Sequence, residues 1–348
     1  MKSALIFQNY YSPARDALFQ EMVRQGQELT VLYMHLPGDE GRRWSEPDGL
    51  PYRSIQMRHI AIGPIILFWV PVAFWRWRGA VLATDNNPTN IAMLLWCIVF
   101  RLLGCRIGMW VEHIPDVYKG RGKLAYQTTC TRLLCGVSDR ALAFSAMTMR
   151  YLRDIVPTAK IDRMVQATPV EVSMVRTRPA RELRQFGYLG SAAERKNLGA
   201  LRQAFEILDD PYTCLHLAGF EQLDNAHRTI WHGYVDEQAR EDFFASIDLL
   251  VLPSLADPWG FVVNEALARG ALAIVTDRCG SAEVVRQIDP ALVCEVTPAS
   301  IATALRYAAS LDVHAVTRLR VRANAILEAY GMDIAASRMI AHIRALMP

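Results

Sequence analysis

Short apolar runs alternate with stretches of helical apolar periodicity from one end of the chain to the other. Such runs, bounded by turn residues, read as buried strands, and their alternation with helical patterns predicts parallel sheets covered by helices. A first set of predicted strands covers residues 4–7, 30–33, 80–84, 106–111 and 141–144. A second covers 186–189, 214–218, 229–232, 249–252, 272–276 and 292–295. Between the sets, the charged segment 175–185, which contains Pro179, reads as a linker. The predicted fold class is α/β, with two Rossmann-like domains over residues 1–180 and 181–331 and an amphipathic last helix over 332–346. No internal repeat or low-complexity segment interrupts this pattern.

Residues 58–78 break it. The run 60–75 is apolar but only 16 residues long, and it contains Gly63, Pro64 and Pro71. A membrane-spanning helix needs about 20 apolar residues, so a span is a poor reading. Trp69, Trp75 and Trp77 beside Arg76 and Arg78 suit a helix lying in a membrane interface. A buried helix and loop is the alternative. Residues 91–103 are similar in composition, but they sit between two predicted strands and read as a core helix.

Composition sharpens this picture in two places. At 348 residues and 52% hydrophobic, the chain is long enough for two domains with full cores. Its 7 cysteines are an odd number without C-x-x-C spacing, so they read as reduced thiols of a cytosolic protein rather than disulfides or a zinc site. No signal-peptide pattern is read, because Met1-Lys2-Ser3 leads straight into a strand-like run. The net charge of +3 conceals an asymmetry. Residues 1–184 carry 24 Lys and Arg against 15 Asp and Glu, and residues 185–348 carry 14 against 20. A basic first half could face anionic lipid headgroups, a lipid-diphosphate or nucleic acid.

The densest chemistry lies between Pro253 and Glu283. Asp257 precedes Pro258-Trp259-Gly260, and an apolar helix that starts near Gly260 carries Glu265 and stops at Gly270. A carboxylate on a tight turn, followed by free N–H groups at a helix start, suits a ligand with hydroxyls and a diphosphate. A carboxylate two turns on could hold a second set of hydroxyls, which outlines a nucleotide-sugar site. A second signal is the strand 186–189 running into Gly190-Ser191, with Glu194-Arg195-Lys196-Asn197 where a helix begins. Cations beside helix N–H groups cradle a diphosphate well.

With these residues in place, the segment resembles the C-terminal half of retaining GT-B glycosyltransferases of family 4, the glycosyl transferases group 1. Their pattern is an acid, seven residues, then Glu, with Pro-(Phe/Trp)-Gly after the first acid. The family usually has Glu at the first position, so Asp257 is one methylene shorter. Its G-R-x-x-x-x-K loop is matched at Gly190 and Lys196, while Ser191 stands at the Arg position, leaving Arg195 to compensate. The resemblance is strong over 186–290 and extends to chain order before that. It implies a GT-B fold in which the last helix, 332–348, returns to the first domain.

The resemblance also implies roles. Asp257 would hold the donor sugar at the reacting centre, and Glu265 the ribose. Lys196 and Arg195 would meet the diphosphate beside Gly190, Trp259, Gly260, Phe261 and Val262, with Tyr234 near the base. His113, at the end of the strand 106–111, falls where many relatives place an active-site histidine. Relatives carry a glycine pair after the first strand; its absence here leaves Asn9, Tyr10 and Arg15 as acceptor-side candidates. No Asp-x-Asp occurs in the first domain and no cluster has metal-ligand spacing, so neither metal nor cofactor is expected beyond a nucleoside-diphosphate sugar as co-substrate.

The function implied is a retaining, metal-independent transferase acting on a glycan acceptor, lipid-linked given the basic, aromatic first half, in bacterial surface polysaccharide synthesis. The expected location is cytoplasmic, at the inner face of the membrane, with an anionic surface as candidate partner and no nucleic acid. A GT-B nucleotide-sugar epimerase would have no use for that half. A non-catalytic glycan- or nucleic-acid-binding protein would have no use for the acid pair and Lys196 together.

Overall fold

Ala4, Leu5, Ile6 and Phe7 are all completely buried in β1 (Ala4–Gln8), as an apolar run covered on both faces must be. The computed structural model describes residues 3–34, 47–62, 65–70, 73, 75, 77–84, 90–112, 120–168, 181–221 and 228–347. The chain divides into two compact units, residues 1–169 with 332–348, and residues 170–331.

In the first unit, β1 lies in a seven-stranded parallel sheet with β2 (Leu29–Tyr33), β3 (Arg53–Gln56), β6 (Ala80–Thr84), β7 (Arg106–Val111), β8 (Arg140–Ala143) and β9 (Ile161–Arg163). Its order is β3-β2-β1-β6-β7-β8-β9, so the strand order reverses between β1 and β6. Four helices follow strands of this sheet: α1 (Pro13–Arg24), α2 (Asn90–Leu102), α3 (Arg121–Val137) and α4 (Ala146–Arg153). α1 starts on the side-chain oxygen of Ser12, with Pro13 in its first turn, where a missing N–H costs nothing. The C-terminal helix Met332–Leu346 packs on α1 and β7. His342 on it bonds Asp162 at 2.6 Å, and Gln25 bonds the Asp333 carbonyl at 3.1 Å.

The described residues of 58–70 do not form a helix. They hold an antiparallel hairpin of β4 (Arg58–Ile62) and β5 (Ile65–Trp69), with Ile60 opposite Leu67 and Arg58 opposite Trp69. β-branched and aromatic residues on both sides of Gly63-Pro64 favour this pairing over a helix. Nor is the segment wholly buried: Ile66, Phe68 and Val70 are buried, but Ile60, Ile62, Trp69 and Trp75 are exposed. α2 is also not the core helix its composition predicts. Ala92, Met93, Cys97 and Phe100 face the core, but Ile91, Leu95, Ile98 and Leu102 face outward.

The second unit is a six-stranded parallel sheet of β10 (Gln185–Leu189), β11 (Cys214–Ala218), β12 (Thr229–Gly233), β13 (Leu249–Leu252), β14 (Leu272–Thr276) and β15 (Val293–Cys294). The order is β12-β11-β10-β13-β14-β15, which reverses between β10 and β13. Its helices are α5 (Leu198–Leu208), α6 (Glu237–Ser246), α7 (Phe261–Ala268), α8 (Ala282–Ile288), α9 (Pro298–Ala309) and α10 (Val313–Leu327). Leu198, Leu201, Phe205 and Leu208 form the buried stripe of α5. Each such side chain contributes about 1.5–3 kcal/mol by leaving water. In open α/β sheets the crevice beyond the carboxyl ends of the strands flanking the reversal is where ligands bind.

Candidate active site

The two segments richest in chemistry leave the sheet at that reversal: Gly190 to Asn197 after β10, and Pro253 to Gly260 after β13. Gly190 N–H donates to the Ala218 carbonyl at 3.0 Å, and Gly219 N–H to the Gly233 carbonyl at 2.8 Å. Gly219 has φ +97°, and a Cβ there would stand 2.5 Å from the Gly190 carbonyl oxygen, so only glycine lets these loops meet. A 3-10 turn, Glu194–Lys196, follows and ends on Asn197 at φ 55°. The Asn197 amide donates to the carbonyls of Pro253 at 3.1 Å and Val296 at 2.9 Å, and Leu255 N–H donates to the Arg195 carbonyl at 2.8 Å. The basic turn is thus tied to the acidic one by main chain and one half-buried amide.

Those ties bring Lys196 Nζ to 2.5 Å from Asp257 Oδ2, with Arg195 Nη1 at 3.9 Å. The other oxygen, Oδ1, accepts the Trp259 N–H at 3.3 Å. Asp257 is only 6% exposed. Its main chain is held as well, donating to the Arg278 carbonyl at 3.1 Å and accepting from Gly280 at 2.9 Å. The local charge shapes its neighbours. Burial first and the Asp257 charge second push the Cys279 thiol up to about 12, so that thiol is not a nucleophile. The Tyr188 hydroxyl is also pushed up, by burial and then by the same charge, and it donates to the Ser191 carbonyl at 2.7 Å.

Gly260 precedes α7 with φ +83°, and a Cβ there would come within 2.3 Å of a Leu252 methyl. No side chain caps α7, whose positive dipole end lies at Gly260. Trp259 is turned inward. Its indole N–H donates to Asn264 at 3.0 Å and its ring stacks on Tyr330 at 5.7 Å, so only its main chain borders the site. Glu265, on α7, accepts Arg240 Nε at 2.7 Å and Nη2 at 2.5 Å. Arg240 belongs to α6, whose first turn is capped by Asp236 at 2.9 Å and preceded by the exposed Tyr234. Arg240 was not legible as a site residue, because nothing local to 236–246 marks its partner. A second feature also escaped: Ser281 Oγ, near Gly260, is buried without a hydrogen-bond partner.

The first unit has its own reversal, between β1 and β6. Gln8 Nε2 and Asn9 Oδ1, at the carboxyl end of β1, and Thr84 Oγ1, at that of β6, are buried polar atoms without partners. Tyr10 beside them is half-buried. Arg15 is committed elsewhere. It pairs with Glu112, donates to Gln166 at 3.1 Å and lies over the Trp110 ring at 4.7 Å. Burial lowers its guanidinium to about 9, and these contacts hold its charge inside the unit rather than offering it to a ligand. His113 lies outside the described residues. Among the described residues no three His, Cys, Asp or Glu side chains gather as a metal site.

Known proteins are similar to the chain in sequence and in fold. The family model for glycosyl transferases group 1 matches residues 173–326. Mannosylfructose-phosphate synthase of Agrobacterium fabrum is 28% identical over 187 residues, 48% of this chain and 40% of that one. The chain therefore spans less than half the length of the curated relatives it matches. Among solved structures, sucrose-phosphate synthase from Thermosynechococcus elongatus superposes with a TM-score of 0.74 at 14% identity, covering 99% of both chains. Anabaena HepE in complex with UDP and glucose superposes with a TM-score of 0.71 at 11% identity, covering 99% of this chain and 100% of that one. These likenesses identify the fold as the GT-B kind of α/β architecture.

Proposed function

We propose that the chain, whose residues 173–326 match the family model for glycosyl transferases group 1, transfers a sugar from a nucleoside-diphosphate sugar to a glycan hydroxyl with retention of configuration. The observation that carries this reading is the Lys196–Asp257 pair beside the uncapped start of α7. A cation and the start of a helix on one side, and a buried carboxylate on the other, fit a diphosphate joined to a sugar.

In this reading the diphosphate takes up Lys196 and Arg195 beside the start of α7. Asp257, relieved of its lysine, turns to the sugar hydroxyls, and Glu265, steadied by Arg240, takes the ribose. The bond between the anomeric carbon and the phosphate oxygen breaks, its electron pair leaving with the phosphate. The acceptor hydroxyl then bonds to the anomeric carbon from the same face and gives its proton to the departing phosphate. No metal is needed in this reading, since the two cations and the positive end of α7 meet the leaving charge. HepE, solved with UDP and glucose, supports UDP as the first nucleotide to try. The acceptor side is the first unit, where the unpartnered Gln8, Asn9 and Thr84 atoms suit hydroxyls. We take the acceptor to be a lipid-linked glycan of bacterial surface polysaccharide synthesis, met at the cytoplasmic face of the membrane.

Calorimetry with UDP and GDP, followed by nuclear magnetic resonance of the product's anomeric proton, tests this. Binding of neither nucleotide removes the donor site. An inverted product removes the retaining mechanism.

A further inference from the structure

The first unit carries a continuous apolar face that the fold leaves uncovered. On the hairpin β4–β5, alternate residues of both strands point the same way, and Ile60 (65% exposed), Ile62 and Trp69 (70% exposed) stand out from the unit. Their opposite face is buried through Ile66 and Phe68. Beside the hairpin runs α2, tied to β5 by the Trp96 indole N–H donating to the Phe68 carbonyl at 3.1 Å. Its outward stripe is Ile91, Leu95, Ile98 and Leu102, at helical spacing, and Leu102 is 83% exposed. On the far side of α2 lies α3, joined to it by Arg101 donating to the Val137 carbonyl at 3.2 Å, and there Leu133 is exposed. Elsewhere a helix spends this outer stripe on charged residues. Here it is leucine and isoleucine.

Charge identifies the occupant. Residues 49–138 carry 10 Lys and Arg against only 3 Asp and Glu. Arg58, Arg78 and Arg132 belong to the same elements or their connections and are exposed, as is Arg101, which shares Asp139 with Arg106. An apolar centre with a cationic surround is complementary to acyl chains beneath anionic headgroups. α2 has 13 residues, about 20 Å of helix by its rise per residue, and no described helix is long and apolar enough to cross a membrane. The face therefore fits lying on a bilayer.

We propose that the outward faces of β4–β5, α2 and α3 dock the protein in plane on an anionic lipid surface. The docking stands on exposure and charge alone. Its use in delivering a lipid-linked acceptor rests on the transferase reading above.

Flotation with phosphatidylcholine vesicles, with and without phosphatidylglycerol, is the test. The parent protein is expected to float with the anionic vesicles and to release as salt rises. Two variants, Ile60→Ser with Trp69→Ser, and Leu95→Ser with Leu102→Ser, are each expected to lower flotation by about tenfold. Because these side chains are exposed, both variants should melt near the parent temperature; if one fails to fold, the other carries the test. Absence of parent flotation, or flotation unchanged in the folded variants, overturns the proposal. So does a parent dimer in light scattering that either variant dissociates, which assigns the face to a second copy. UDP and GDP calorimetry on the same variants reads the enzyme proposal separately.

Discussion

Lys196 and Asp257, 61 residues apart in sequence, satisfy each other across 2.5 Å in a nearly closed setting. Removing one side of such a pair leaves the other charged and short of a partner. Lys196→Ala is therefore expected to destabilise the ligand-free protein by about 2–4 kcal/mol, near the cost of breaking a buried pair. It should also weaken nucleotide binding by about 1.5–3 kcal/mol, the scale of a charge-assisted contact. Adding Asp257→Asn should restore much of the stability and none of the binding. Melting curves and calorimetry on the three proteins separate the two roles. Equal nucleotide affinity in parent and Lys196→Ala would refute the diphosphate assignment.

The two acids should fail differently. Glu265→Gln keeps its shape but weakens the hold of Arg240 and loses its charge toward a ribose, so the donor KM should rise with little change in kcat. Asp257→Asn should lower kcat by about 100-fold, the scale of losing a group that positions the reacting centre. Steady-state kinetics on both variants reads the split. Activity within twofold of the parent in both would mean the acids are structural.

Gly260→Ala should damage the second unit even without ligand. A left-handed residue with a side chain costs about 1–2 kcal/mol, and the Leu252 methyl stands where the new Cβ must go. The overpacking adds about 1–3 kcal/mol. Urea unfolding should show the loss, and a midpoint like the parent's would mean the turn can relax.

Acid should loosen the second unit through His216. This buried ring donates through Nε2 to Gln185 at 2.8 Å, which leaves Nδ1 to accept from His232 at 3.0 Å. Burial first and the His232 ring second lower His216 to about 4. The unfolded ring titrates near 6.5, so between about 6.5 and 4 the unfolded chain binds the extra proton. The stability this site contributes is fully present above that window and is lost as pH falls through it, at no more than about 1.4 kcal/mol per pH unit. His216→Gln should flatten the slope of melting temperature against pH over that range. An unchanged slope would place the acid sensitivity elsewhere.

The strands whose side chains are all buried, β1, β2, β6, β13 and β14, were legible as apolar runs and need no tertiary information to be seen. The edge strands β3 and β9 were not, because Arg53–Gln56 and Ile161–Arg163 are short and half polar. α2 was legible as a helix but not as a surface one. A helix apolar all round looks buried in sequence, and only packing tells its two sides apart. In the site, Lys196, Asp257 and Gly260 could be read from local spacing. Their use could not. Lys196 answers to an acid beyond three intervening strands, Glu265 to an arginine on another helix, and Arg15 to Glu112 within its own unit. Long-range ion pairs leave no periodic trace.

Asn197 holds the ends of three strands in one side chain and one turn: it follows β10, and its amide reaches the chain after β13 and after β15. The lysine next to it is aimed before any ligand arrives. A nucleotide meeting such a cation has Asp257 to displace from it but no loop to wait for, and little disorder to remove. Its capture should proceed at the rate of encounter, and differences in affinity among nucleotides should appear in how long each one stays.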